Sequence, residues 1–294
     1  MLAVCVSWIV GAPLVFPIRS ERPGPSGRGT DPLKGHAGPM SSLPPDTLWI
    51  RRFHPAPAAG ERLVCFPHAG GSASFFLPVS TALSPGVEVL AVQYPGRQDR
   101  RAEPGIPSVP DLADRIAQAL TGWDDKPLTF FGHSMGAAVA FEVARRMEAE
   151  GRGPVRLFAS GRNAPSRPRD ENVHLRDDAG LIAELRNLNG TDSSLLEDEE
   201  LLAMILPATR SDYTAIETYR CAEETQVACP VTVLVGDDDP KTTLDDARAW
   251  KLHTTGPFDM RIFNGGHFYL SRRSAEVLAV LSEHVGMAGT AHRA

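Results

Sequence analysis

A chain of 294 residues with a net charge of −6 lacks the basic surplus that binding to nucleic acid calls for. At 42% hydrophobic and 22% charged it has the proportions of a soluble globular protein, long enough for one large α/β domain or two small ones. Cys5, Cys65, Cys221 and Cys229 are too scattered for a zinc pattern and read as free thiols of a cytoplasmic protein, so no metal or cofactor is expected.

The first 40 residues differ from the rest. Met1 to Ile18 is uncharged and largely apolar, and Arg19 to Pro39 is rich in Gly, Pro and Arg. No basic segment precedes the apolar run and no small-residue cleavage site stands out, which argues against a secretory signal. Pro13 and Pro17 interrupt it as a membrane span, and no membrane association is expected. Residues 1–40 are read as a leader, disordered or a start-site extension ahead of Met40, and residues 41–290 as the folded domain.

From Met40 onward, short apolar runs alternate with helical patterns. Arg62 to Phe66, Val87 to Val92, Leu128 to Phe131, Val155 to Ala159, Val231 to Val235 and Met260 to Phe263 read as strands. Runs this continuously apolar suit a sheet covered on both faces. Val109, Leu112, Ile116 and Leu120 recur at helical spacing, and Ser274 to Val285 does likewise. The alternation predicts a mostly parallel sheet flanked by helices. Arg167 to Ala228 breaks it: there is no convincing strand, but helical patterns run from Ala179 to Leu188 and from Leu195 to Arg220. An insertion of that length at the carboxyl edge of a sheet is expected to be a helical lid, at about 167–228.

Gly132-His133-Ser134-Met135-Gly136 directly follows the strand at Leu128 to Phe131 and precedes the helix-forming stretch Ala137 to Glu150. Strand, G-x-S-x-G and helix in that order describe a nucleophile elbow, with Ser134 on the turn. A serine hydroxyl needs a base within hydrogen-bond reach, and the base needs an orienting acid. In this arrangement the partners follow in the order Ser, Asp, His. The strand Val231 to Val235 runs into Gly236-Asp237-Asp238-Asp239-Pro240, and Gly265-Gly266-His267-Phe268 follows the strand ending at Phe263. Asp239, whose backbone is restricted by Pro240, is taken as the acid, with Asp237 and Asp238 as solvated neighbours. His267 is taken as the base, while His253, His284 and His292 read as surface, helix and tail residues. The backbone N–H of Met135 and that of Ala69, in Phe66-Pro67-His68-Ala69-Gly70-Gly71, are the expected oxyanion donors. His68 is given a structural role.

Together with Tyr94-Pro95-Gly96-Arg97, these segments resemble the type II thioesterases, α/β-hydrolases that accompany polyketide and nonribosomal peptide synthases. The resemblance covers about residues 45–285. It implies an α/β-hydrolase fold and hydrolysis of acyl groups from the phosphopantetheine arm of acyl or peptidyl carrier domains, which restarts stalled assembly lines. It assigns Ser134 as nucleophile, His267 as general base, Asp239 as its orienting acid, and Ala69 with Met135 as oxyanion donors. A monomer is expected. Arg97, Arg100 and Arg101 form either a contact for the acidic face of a carrier or a solvated basic loop. The competing readings are a general carboxylesterase or lipase acting on small free esters, and a non-catalytic binding protein on the same fold.

Overall fold

The structure is a computed structural model that describes residues 48–188 and 197–285. The leader at 1–40, part of the expected helix beginning at Leu195, and the last residues of the expected domain lie outside the described residues.

The described residues form a seven-stranded sheet in the order β1-β3-β2-β4-β5-β6-β7. Its strands are β1 (Ile50–Arg51), β2 (Arg62–Phe66), β3 (Glu88–Val92), β4 (Leu128–His133), β5 (Arg156–Ser160), β6 (Val231–Gly236) and β7 (Phe258–Phe263). Only β1 runs antiparallel, pairing Ile50 with Val92; all other neighbours are parallel. Residues of β2, β3, β4 and β6 are buried throughout, as continuous apolar runs demand. Edge strand β7 departs from that pattern: Asp259, Arg261 and Ile262 are exposed, so its first two residues are not legible as strand.

The helices include α1 (Leu77–Leu83), α2 (Val109–Ala119), α3 (Met135–Ala149), α4 (Asp178–Leu188), α5 (Glu199–Thr218), α6 (Leu244–Arg248), α7 (Tyr269–Arg272) and α8 (Ser274–Ser282). Helix α2 starts where Ser108 accepts the Asp111 N–H at 3.2 Å and Pro110 fills the first turn, where a missing N–H costs nothing. Helix α3 is buried almost all round at its start, and its Ala137, Ala138 and Ala140 let it lie close against the sheet. One face of the sheet packs Phe130, Val233 and Leu90 against Leu112, Ile116, Phe141 and Met147. The other face packs Phe131, Phe158 and Leu63 against Phe75, Phe76, Val277 and Leu281.

Between β5 and β6 the chain leaves the sheet and forms α4 and α5 without a strand among its described residues. Val173, Leu181, Leu185, Leu206 and Tyr213 gather into a small apolar cluster of their own. Asp198 caps α5 by accepting the N–H groups of Glu200 and Leu201 at 3.0 and 3.1 Å. Because β2, β4, β5, β6 and β7 are parallel, the loops after them emerge on one edge, and the insertion sits there too.

Candidate active site

Ser134 joins β4 to α3 with φ 54° and ψ −120°, a conformation that side-chain-bearing residues rarely adopt. Its N–H donates to Ser160 O at 2.8 Å, which ties the turn to β5. The two flanking glycines are steric requirements. A Cβ on Gly132 would lie 2.3 Å from Gly136 O, and one on Gly136 would lie 2.0 Å from Phe66 O. No side chain fits either gap.

The loops after β6 and β7 bring the other two groups to the serine. The Asp237 N–H donates to Phe263 O at 2.8 Å and the Asp238 N–H to Gly265 O at 3.1 Å, so the two loops are stitched together. Asp239 is buried, while Asp237 and Asp238 are exposed. His267 Nδ1 lies 3.0 Å from both carboxylate oxygens of Asp239, and its Nε2 lies 3.0 Å from Ser134 Oγ. In the tautomer that donates Nδ1–H to the carboxylate, Nε2 is free to accept the Ser134 hydroxyl proton. Asp239 Oδ1 also accepts the Lys241 N–H at 2.8 Å, which fixes the carboxylate plane.

Met135 is the first residue of α3, where backbone N–H groups have no partner within the helix. Ala69 lines the same pocket as Ser134 and His267. The structure thus joins Asp239, His267 and Ser134 in one hydrogen-bonded chain, with Ala69 in the pocket wall and Met135 next to the serine at the start of α3. That arrangement is competent for nucleophilic attack on an acyl carbonyl, with proton transfer to imidazole.

Two further histidines pack behind the base. His133 Nδ1 is 3.0 Å from Ser160 Oγ, itself 2.7 Å from the Tyr269 hydroxyl, and its ring centre is 5.1 Å from that of His267. His68 packs edge-on against Phe75 and Phe268. Burial holds His68 down to about 3, and burial likewise holds His133 well below the ordinary histidine range. Both are neutral rings, and His68 also lines the pocket that holds Ser134 and His267. His253 corrects the reading of it as a surface residue. It is fully buried, with Nδ1 2.7 Å from Thr225 O and Nε2 2.7 Å from Ser166 Oγ.

The pocket over Ser134 has two lobes. The apolar lobe is lined by Leu185, Leu188, Ile205, Thr209, Tyr213 and Phe268, mostly from the insertion. The second is charged, with Arg162, Arg169, Glu171, Glu217 and Lys241. Arg169 pairs with Glu171 at 2.6 Å, and Lys241 pairs with Glu171 and Glu184. Burial pushes the Arg162 guanidinium down to about 10.

The basic loop is not what its sequence suggested. Arg97 and Arg100 are 8% and 5% exposed, so they form neither a carrier contact nor a solvated patch. Arg97 pairs with Asp212, and Arg100 pairs with Glu103 at 2.6 Å, donates to Gln93 O at 2.8 Å and lies over the Trp49 ring. Only Arg101 of the three is exposed. Their partners come from distant or unremarkable stretches of chain, which no local pattern announces.

Comparison with known proteins agrees with this geometry. The Thioesterase domain family profile matches residues 61–284. The probable cadicidin biosynthesis thioesterase of Streptomyces griseus is 54% identical over 263 residues, covering 85% of this chain and 73% of that protein. Thioesterase PikA5 of Streptomyces venezuelae is 52% identical over 240 residues, covering 81% of this chain and 85% of its own. Among solved structures, the type II thioesterase BorB from the borrelidin biosynthetic cluster is 50% identical with a TM-score of 0.76, covering 81% of this chain and 97% of that one. The parallel sheet, the serine turn and these identities make one case: the chain belongs to the thioesterase family, as a type II thioesterase of polyketide and nonribosomal peptide biosynthesis.

Proposed function

We propose that this thioesterase releases acyl groups from the phosphopantetheine arms of acyl and peptidyl carrier domains, acting in the cytoplasm as a monomer without a cofactor. The observation that carries the reading is the chain of 3.0 Å contacts from Asp239 through His267 to Ser134, opening into a pocket walled by the insertion. Ser134 Oγ attacks the thioester carbonyl carbon as its proton passes to His267 Nε2. The N–H groups of Ala69 and Met135 receive the oxyanion. Collapse breaks the C–S bond, and the imidazolium returns its proton to the departing thiolate. Thiolate leaves readily, so this half-reaction asks little of the general acid. Water, deprotonated by His267, then attacks the acyl-serine and frees the acid. The insertion acts as the lid that shapes the acyl pocket.

The test is a panel of acyl-loaded carrier domains followed by intact mass. Loss of the acyl mass with wild type, and its persistence with Ser134→Ala, is the expected result. A kcat/KM that strongly favours simple aryl esters over acyl-carriers would identify a general carboxylesterase instead. Full hydrolysis by Ser134→Ala would overturn the mechanism.

A further inference from the structure

Asp212 stands where the helix that walls the acyl pocket meets the oxyanion loop. Its carboxylate, 1% exposed, accepts the Gly70 N–H at 2.8 Å and pairs with the Arg97 guanidinium. Arg97 donates to Pro95 O at 2.6 Å and lies over the Tyr94 ring, 5.2 Å from its centre. The Tyr94 hydroxyl donates to Pro67 O at 3.1 Å. The loop that carries Ala69 is therefore gripped on both sides, at Pro67 by Tyr94 and at Gly70 by Asp212. Gly70 (φ +75°) leaves no slack, because a Cβ there would lie 2.9 Å from Thr209 Oγ1. On the same helix, Ile205, Thr209 and Tyr213 face the pocket. Tyr94-Pro95-Gly96-Arg97 touches no reacting atom, so the chemistry alone gives it no purpose.

We propose that Asp212, with Arg97 as its counter-ion, is a positioning residue. By accepting the Gly70 N–H it aims the adjacent Ala69 N–H at the forming oxyanion, and it ties that aim to the helix that the acyl chain packs against. Acyl fit is thereby read out in kcat as well as in binding. The proposal rests on the reading of Ser134 as nucleophile and Ala69 as oxyanion donor. Geometry supports it physically: an oxyanion donor works only when fixed in advance, and a buried carboxylate held by a guanidinium and an amide is a rigid anchor.

Single substitutions would strand a buried charge, so the test uses two paired variants that remove both charges. Arg97→Gln with Asp212→Asn keeps an acceptor for the Gly70 N–H, whereas Arg97→Met with Asp212→Leu removes it. Turnover of acyl-pantetheine thioesters is measured per Ser134 titrated with a fluorophosphonate, so misfolded enzyme is not counted. The Met/Leu pair is expected to lose about tenfold to a hundredfold in kcat with little change in KM. The Ki of an acyl trifluoromethyl ketone, which forms a tetrahedral adduct, should rise by the same factor. The Gln/Asn pair should recover most of the lost kcat. Equal kcat per titrated serine in the two pairs, or a Ki that does not follow kcat, would overturn the positioning role. A wild type that is labelled by the fluorophosphonate yet inert toward the thioesters would instead refute the underlying thioesterase reading, and the positioning role with it.

Discussion

His267 Nδ1 sits equidistant from the two oxygens of Asp239, 3.0 Å from each, and the pair is almost wholly buried. A carboxylate in that position keeps the proton on Nδ1 and leaves Nε2 to face Ser134. In Asp239→Asn the amide donates to Nδ1 and drives the proton to Nε2, the wrong nitrogen. The expected loss is about 10³- to 10⁴-fold in kcat with KM little changed. Asp238→Asn alters only an exposed side chain and should stay within about twofold of wild type. Steady-state kinetics of both variants on one acyl-carrier check the contrast.

The serine turn makes a stability prediction of unusual sharpness. A Cβ on Gly136 would stand 2.0 Å from Phe66 O, and backbone is what it would strike. Gly136→Ala should therefore cost more than about 3 kcal/mol or prevent folding. At Gly60 a Cβ would meet nothing within 4 Å, and Gly60→Ala should shift stability by less than about 0.5 kcal/mol. Urea unfolding of the two alanine variants separates a packed turn from an open loop.

What the sequence disclosed followed from how local each signal is. Strands β2, β3, β4 and β6 are buried on both faces and so appear as unbroken apolar runs. Strand β1 is two residues long, too short for any periodicity, and β7 alternates exposed and buried positions at the sheet edge. Ser134, Asp239 and His267 were legible because each occupies a strand-end loop of recognisable chemistry. Asp212 was not, since its partners Arg97 and Gly70 lie 115 and 142 residues away and only the fold joins them. His253 reads as polar and exposed, but the partners that let it be buried, Ser166 and Thr225, are likewise remote.

Neutral His68 and His133 make the protein sensitive to acid. In the unfolded chain both rings take up protons near pH 6.5. In the fold, burial holds His68 down to about 3 and His133 well below its ordinary value. Between those values the unfolded state binds more protons, so stability falls as pH drops below about 6.5. Each ring that burial keeps unprotonated adds to that fall. His68→Phe, placed among Phe75 and Phe268, should make the fall shallower. Urea midpoints measured across the acid range test the sign, and a stability that rises on acidification would contradict it.

Acyl selectivity should reside in the apolar lobe rather than at the serine. Leu185, Ile205 and Tyr213 approach from two different helices of the insertion, so the depth available to a chain is set where those helices meet. Ile205→Trp fills that space and leaves Ser134, His267 and Asp239 themselves unchanged. Each methylene that can no longer be buried forfeits about 0.8 kcal/mol, close to a fourfold loss in kcat/KM. Long acyl chains should therefore lose about tenfold or more while acetyl is hydrolysed nearly as before, shifting the length profile toward short chains. A uniform loss across acetyl-, hexanoyl- and decanoyl-carriers would place the chain elsewhere, with the charged lobe at Arg162 and Lys241 as the other route from the serine.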